Sequence, residues 1–238
     1  MMNRIIMIFI GAFIMSCTGT KKVAEAPVEY EERTLDTMMV VAPKMTPAEP
    51  DLTPETYRPA HNRKLDLLHT KLELSFNWEE QHVKGVATLK FDPLFYPINS
   101  AVFDAVGFDI HSIKNAQTGL PLEYEYNGVQ VSIALDKTYK NGEEAEIIID
   151  YTAKPNENPV GGSAAITSDK GLFFINPLGT DPDKPMQIWT QGETENNSRW
   201  FPTIDKPNER TTQEVYLTVQ DRFKTLSNGI LVSSTPNS

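Results

Sequence analysis

An alternation of apolar and polar residues with a period of two restricts this chain more than any other feature. Leu72, Leu74, Phe76 and Trp78 are separated by Glu73, Ser75 and Asn77, and after Glu79-Glu80-Gln81 the pattern resumes at Val83, Gly85, Ala87, Leu89 and Phe91. Successive side chains of a strand point to opposite faces, so this spacing predicts two half-buried strands joined by a turn. A second hairpin is expected where Leu122, Tyr124 and Tyr126 lead through Asn127-Gly128 to Val129, Val131, Ile133 and Leu135. The Asn-Gly pair suits the positive φ values of a tight hairpin turn. Further strands are expected at 101–103, 108–114, 145–152, 172–175, 186–190, 214–219 and 223–227. No segment beyond the N-terminus reads as an amphipathic helix, and no internal repeat is found. Many strands joined by short turns, without intervening helices, imply an all-β domain of curved antiparallel sheets in a bowl-like sandwich.

The N-terminus reads as an address. One basic residue, Arg4, precedes an apolar run over 5–15 that is too short for the roughly 20 residues of a membrane-spanning helix. These are signal-peptide proportions over residues 1–16. The run closes on Ile14-Met15-Ser16-Cys17, which resembles the lipobox of bacterial lipoproteins. That resemblance implies cleavage before Cys17, lipidation of this cysteine and attachment to a membrane. It also implies a place in the bacterial cell envelope, with Thr18 favouring the outer membrane facing the periplasm. Residues 17–58 hold Pro27, Pro43, Pro47, Pro50 and Pro54 among Glu25, Glu29, Glu31, Glu32, Glu49 and Glu55. Such a composition buries too little apolar surface to offset its ordering entropy, and the segment is expected to be a tether. The folded domain is expected over 59–238.

Charge and residue counts exclude several function classes. With 22 Lys and Arg against 32 Asp and Glu, the formal charge is −10, and no basic stripe offers itself to a nucleic-acid backbone. A single cysteine, Cys17, rules out an internal disulfide and any Cys-x-x-Cys metal or redox site. The four histidines include no His-Glu-x-x-His pair, so the sequence holds no complete zinc-hydrolase motif of that kind. His69, His82 and His111 fall in expected strands and are read there as ordinary polar residues, not ligands. Gly161-Gly162 lacks the lysine of a phosphate-binding loop. Asn196-Asn197-Ser198 has the form of a glycosylation sequon, a reading with little force behind a bacterial lipobox.

The stretch richest in chemical groups runs from Trp189 to Pro207: Trp-Thr-Gln-Gly-Glu-Thr-Glu-Asn-Asn-Ser-Arg-Trp-Phe-Pro-Thr-Ile-Asp-Lys-Pro. Were the strand to continue, Gln191, Glu193 and Glu195 would share one face, where several acceptors can bind a cation or an ammonium group. The plainer reading is a solvated loop knotted by Arg199 and Asp205 and anchored by Trp200 and Phe201, since clustered surface charges are common and usually weak.

The order Thr-Gln-x-Glu, then Arg199, then Phe201-Pro202-x-x-Asp205-x-Pro207, then Phe223-Lys224-Thr225-Leu226-Ser227-Asn228-Gly229 resembles the N-terminal β domain of the aminopeptidase N family of zinc metallopeptidases. The resemblance extends from about Leu65 to Ser238 and includes Gly171-Leu172-Phe173. It departs at Thr203, where many members carry cysteine. It implies that Glu193 helps bind the α-ammonium of a peptide N-terminus and that Gln191 lines the pocket for the first side chain. A carboxylate suits that role, because a charge-assisted hydrogen bond is stronger than a neutral one. Arg199, Phe201, Pro202, Asp205 and Pro207 are expected to be structural. Members carry Gly-x-Met-Glu-Asn and a zinc motif in a following catalytic domain, and neither occurs here. Gly192-Glu193-Thr194-Glu195-Asn196 only mimics the first. The chain is therefore read as a non-catalytic module with no cofactor of its own, zinc being implied for the complete enzyme. The alternatives are a free-standing envelope lipoprotein that binds peptides or a protein, and a remnant without function. The domain is also expected to lack its last strands, leaving sheet edges and apolar surface exposed.

Overall fold

The computed structural model describes residues 2–8, 62–157, 160–161 and 168–237. Cys17, the proline- and glutamate-rich segment, His61 and Gly162 lie outside them. The strands, in chain order, are β1 (Met2–Ile8), β2 (Leu65–Asn77), β3 (His82–Pro93), β4 (Ile98–Asp104), β5 (Phe108–Asn115), β6 (Tyr124–Tyr126), β7 (Gln130–Tyr139), β8 (Ala145–Ala153), β9 (Val160–Gly161), β10 (Ser168–Asp169), β11 (Leu172–Ile175), β12 (Gln187–Thr190), β13 (Thr212–Gln220) and β14 (Ile230–Asn237). Among the described residues the only helical segment is a 3-10 turn at Asn197–Arg199. None is long and apolar enough to cross a membrane.

The largest sheet has the order β14-β1-β13-β2-β3-β8-β5, and a second sheet has the order β4-β7-β6. Their inner faces build the core. Leu72, Leu74, Val83, Ala87, Leu89, Phe91, Ile147, Ile149 and Tyr151 come from the large sheet, and Ala101, Phe103, Val131 and Ile133 from the small one. Phe91 and Phe103 meet edge to face across the two layers, with ring centroids 5.4 Å apart. The alternation begins cleanly at Leu72 because a bulge at Leu68 resets it: Leu65 and Leu67 face inward, and after the shift Thr70, Leu72 and Leu74 do.

Both expected hairpins form, with differences in detail. The turn after β2 is built by Asn77, whose Oδ1 accepts the N–H groups of Glu79 and Glu80, and by Gln81 at a φ of 57°. In the second hairpin only Gly128 has positive φ, at 87°, and Asn127 acts through its side chain. Its Oδ1 accepts the N–H groups of Val129 and Gln130, an Asx turn instead of two left-handed residues. Two expectations need correction. β13 runs parallel to β2, so the large sheet is mixed. Residues 223–227 are not a strand, because the Phe223 ring stacks on Trp78 at 4.8 Å and holds the chain out of the sheet. The strand forms instead over β14, with Ile230, Leu231 and Val232 exposed at the sheet's edge. The first half of the apolar leader, Met2–Ile8, lies between β13 and β14 and pairs antiparallel with both.

Candidate functional site

The site grows from the β11–β12 pair. Phe173 stands opposite Trp189, and their rings stack 4.4 Å apart at 8°. β12 ends at Thr190. One further ladder bond follows, from the Gln191 N–H to the Gly171 carbonyl at 2.8 Å, and then the chain turns away. Gly171 is required there. Its φ is 71°, and a Cβ would stand 1.9 Å from the Asn196 carbonyl oxygen.

The loop reading of this stretch holds, and the strand continuation that would put Gln191, Glu193 and Glu195 on one face does not form. Residues 192–196 form a turn closed by the Asn196 N–H donating to the Gly192 carbonyl at 2.9 Å. Gln191 is half-buried, Glu193 is exposed at the turn, and Glu195 pairs with Lys206. Asn196 is buried and spends both ends of its amide: Nδ2 donates to the Glu193 carbonyl at 2.8 Å, and Oδ1 accepts from Arg199 Nε at 3.0 Å. That side chain is committed to the turn and does not suit glycosylation.

Behind the turn lies a buried polar knot. Asp205 accepts the Ser198 N–H at 2.8 Å and the Asn197 amide at 3.4 Å. Its own N–H donates to Asp104 Oδ2 at 3.0 Å. Asp104 exchanges backbone bonds with Thr203 in both directions, and its Oδ1 accepts from Gln130. Arg199 and Asp205 do belong to one cluster, yet the hydrogen bonds of Asp205 go to Ser198 and Asn197. Burial lowers the pKa of Arg199, opposed by the nearby charges of Asp169 and Asp205. Burial likewise raises the pKa of Asp205, opposed by the Ser198 and Asn197 donors and reinforced by Asp104. Phe201 and Pro202 are buried, and the Tyr151 hydroxyl donates to the Trp200 carbonyl at 3.1 Å. Pro207 is exposed. The knot fixes the base of the turn and leaves the Glu193 carboxylate facing solvent.

Sequence reasoning passes over Asp104, and it marks Asn196 and Asn197 only as parts of a sequon and of a motif mimic, not as members of the knot. Asp104 and Asp205 are about a hundred residues apart, and no periodicity links them. The histidines have ordinary partners: His69 Nδ1 and the Thr212 hydroxyl lie 2.8 Å apart, His82 Nε2 and Glu157 2.6 Å, and His111 Nε2 and the Thr152 hydroxyl 2.9 Å. Among the described residues no group of three or more His, Cys, Asp or Glu side chains could hold a metal ion.

Comparison with solved structures finds the same fold. A two-domain M1 zinc metallopeptidase variant bound to L-arginine aligns at a TM-score of 0.56 and 19% identity, over 74% of this chain and 39% of that one. An M1 zinc metallopeptidase variant from Deinococcus radiodurans, bound to a Tyr-Ser-Ala substrate, aligns at 0.53 and 20%, over 65% and 32%. Yeast leukotriene A4 hydrolase aligns at 0.50 and 18%, over 65% and 23%. This chain thus spans between about a quarter and two fifths of those proteins. Comparison with curated proteins gave no match. The sequence profile of the peptidase M1 N-terminal domain matches residues 54–238, which is most of the chain, and the protein therefore belongs to the peptidase M1 N-terminal domain family.

Proposed function

We propose that this chain is the substrate-recognising β module of a lipid-anchored aminopeptidase, with Glu193 receiving the α-ammonium of a peptide and Gln191 lining the pocket for its first side chain. The observation that carries the reading is the presentation of Glu193: an exposed carboxylate on a turn whose base is held by buried Asn196, Arg199 and Asp205. The backbone that carries Glu193 is already fixed, so binding does not have to order it as well. Two aligned relatives support it, since Tyr-Ser-Ala and L-arginine each carry a free α-amino group.

Zinc, implied for complete members of the family, finds no ligand set among the described residues, and no step of peptide cleavage is assigned to this chain. Cleavage would fall to the portion of such enzymes beyond the part aligned here. Attachment would come from acylation of Cys17 at the bacterial outer membrane. Cleavage before Cys17 also removes β1, which leaves β13 and β14 without the strand between them.

Calorimetric titration of the full chain with tri-alanine and N-acetyl-tri-alanine tests the reading. Binding should require the free amine and weaken about tenfold or more in Glu193→Gln, the range of a charge-assisted hydrogen bond. Equal binding of the acetylated peptide, or no binding of either, would refute it.

A further inference from the structure

We infer that the loop Phe95-Tyr96-Pro97 is a membrane-surface contact that orients the domain against the bilayer, an inference that rests on the proposed acylation of Cys17. Phe95 is 75% and Tyr96 81% exposed, more than any other aromatic side chain among the described residues. Single exposed apolar residues are ordinary, so exposure alone decides nothing. These two, however, are adjacent and carried on an anchored backbone. Asn141 Nδ2 donates to the carbonyls of Pro93 at 2.9 Å and Leu94 at 2.7 Å, and the Leu94 N–H donates to the Lys64 carbonyl at 3.1 Å.

The position of the loop supplies the occupant. Lys64 lies two residues beyond Asn62, where the described chain resumes after the segment that carries Cys17. Leu65 pairs with Pro93, which places the loop at the end of the sheet where the chain from the anchor arrives. Fully extended at about 3.4 Å per residue, the roughly 45 residues from Cys17 to Asn62 keep the domain within about 150 Å of the anchor. A contact too weak to hold a free protein then acts at raised effective concentration. Aromatic rings suit this partner, because an apolar body with a polar tip settles at the level of lipid headgroups. Exposed Lys64, Lys137 and Lys140 rim the same end, together with Glu143 and Glu144, so apolar insertion leads and charge adds little.

The contact would also aim the candidate site. β4 begins beside this loop and ends at Asp104, which bridges to Thr203 behind the Glu193 turn. Seven strand residues rise about 23 Å, so docking at Phe95 and Tyr96 keeps that turn away from the lipid and open to the aqueous side.

The test uses the acylated protein, which begins at Cys17, in vesicles of phosphatidylethanolamine and phosphatidylglycerol. Cys17 is the sole cysteine, and once acylated it leaves Pro97→Cys as the one free thiol for an environment-sensitive fluorophore. Leu226→Cys is the comparison site: it is 93% exposed and follows β13, whose end lies near Ser75 at the opposite end of β2. The probe at 97 should shift to the blue and be quenched by brominated acyl chains at least threefold more than the probe at 226. Adding Phe95→Ser and Tyr96→Ser should abolish that excess. Equal, water-like signals from both positions on an acylated protein would overturn the contact alone. Absence of the acyl group from the N-terminal peptide by mass spectrometry would overturn the anchor reading and this inference with it.

Discussion

Replacing Asp205 separates the two ways in which the knot behind the Glu193 turn could be held. If acceptor geometry dominates, the essential service of Asp205 is to receive the buried Ser198 N–H at 2.8 Å and the Asn197 amide at 3.4 Å. Asp205→Ala then strands a buried donor, at about 1–3 kcal/mol, and removes packing besides, for an expected loss of about 2–4 kcal/mol. Asp205→Asn keeps one oxygen for Ser198, and rotation of the Asn197 amide can accommodate the new donor, so its cost should stay near 1 kcal/mol. If the negative charge near buried Arg199 dominates instead, both replacements remove one of the charges that offset that cation, Asp169 being another, and should cost alike. Burial raises the pKa of Asp205, which means that the site favours its neutral form, and this supports the first account. In urea, with a slope of about 2 kcal/mol per molar, the alanine variant should shift the midpoint by about 1–2 M and the asparagine variant by about 0.5 M. Equal shifts for the two would refute the reasoning.

The same residue carries a pH signature. A carboxyl whose folded pKa lies above its unfolded value binds more protons in the native state, so its contribution to stability is fully present below the unfolded pKa and is lost as pH rises through the folded one. Between that raised pKa and about 3.8, wild type should therefore gain stability on acidification relative to Asp205→Asn, which lacks the group. Midpoints measured for both proteins from pH 7 to pH 4 check the sign, and a gap that narrows on acidification would contradict it.

Gly171→Ala should cost at least 3 kcal/mol by urea unfolding, since the new Cβ meets the Asn196 carbonyl oxygen and the backbone is left-handed; a loss under 1 kcal/mol would mean that the turn has room to move. Phe223→Ala should cost about 1–2 kcal/mol and alter the near-UV circular dichroism of Trp78, while an unchanged spectrum would deny the stack. Removing residues 1–16 should speed hydrogen exchange of the β13 amides that face β1, and a synthetic peptide of residues 2–8 should restore their protection; exchange rates indifferent to both would show that β1 adds nothing to the sheet.

Most of the fold was legible because the half-buried strands repeat every two residues, and burial of one face is what holds them. The readable alternation in β2, β3 and β8 corresponds to side chains that are nearly inaccessible, such as Leu72, Leu89 and Ile149. Legibility fails where local pattern and tertiary packing part company. Residues 223–227 are apolar only at Phe223 and Leu226, which would fall on opposite faces of a strand, and stacking on Trp78 takes the Phe223 ring out of sheet register. Leu65 and Leu67 belong to the same strand as Leu72, but the bulge at Leu68 inverts their parity and hides the continuity. The parallel pairing of β13 with β2 is equally invisible, because the apolar period is the same for either direction.

The candidate site divides along a similar line. Glu193, Arg199 and Asp205 could be named because they stand in one motif order of thirteen residues that resembles the aminopeptidase N family, whereas Asp104 enters the knot from β4, with nothing in its surroundings to mark it. The end of β12 at Thr190 was legible in the sequence, but the form of the turn beyond it was not, because that turn is closed by the Asn196 N–H donating to the Gly192 carbonyl. That closure changes the chemistry available to the site. Three acceptors on one strand face would make a cation cradle, but the turn diverts Glu195 to Lys206 and leaves Glu193 as the exposed carboxylate beside half-buried Gln191. One exposed carboxylate suits a single ammonium group better than a metal ion, which needs several oxygen or nitrogen donors converging at once.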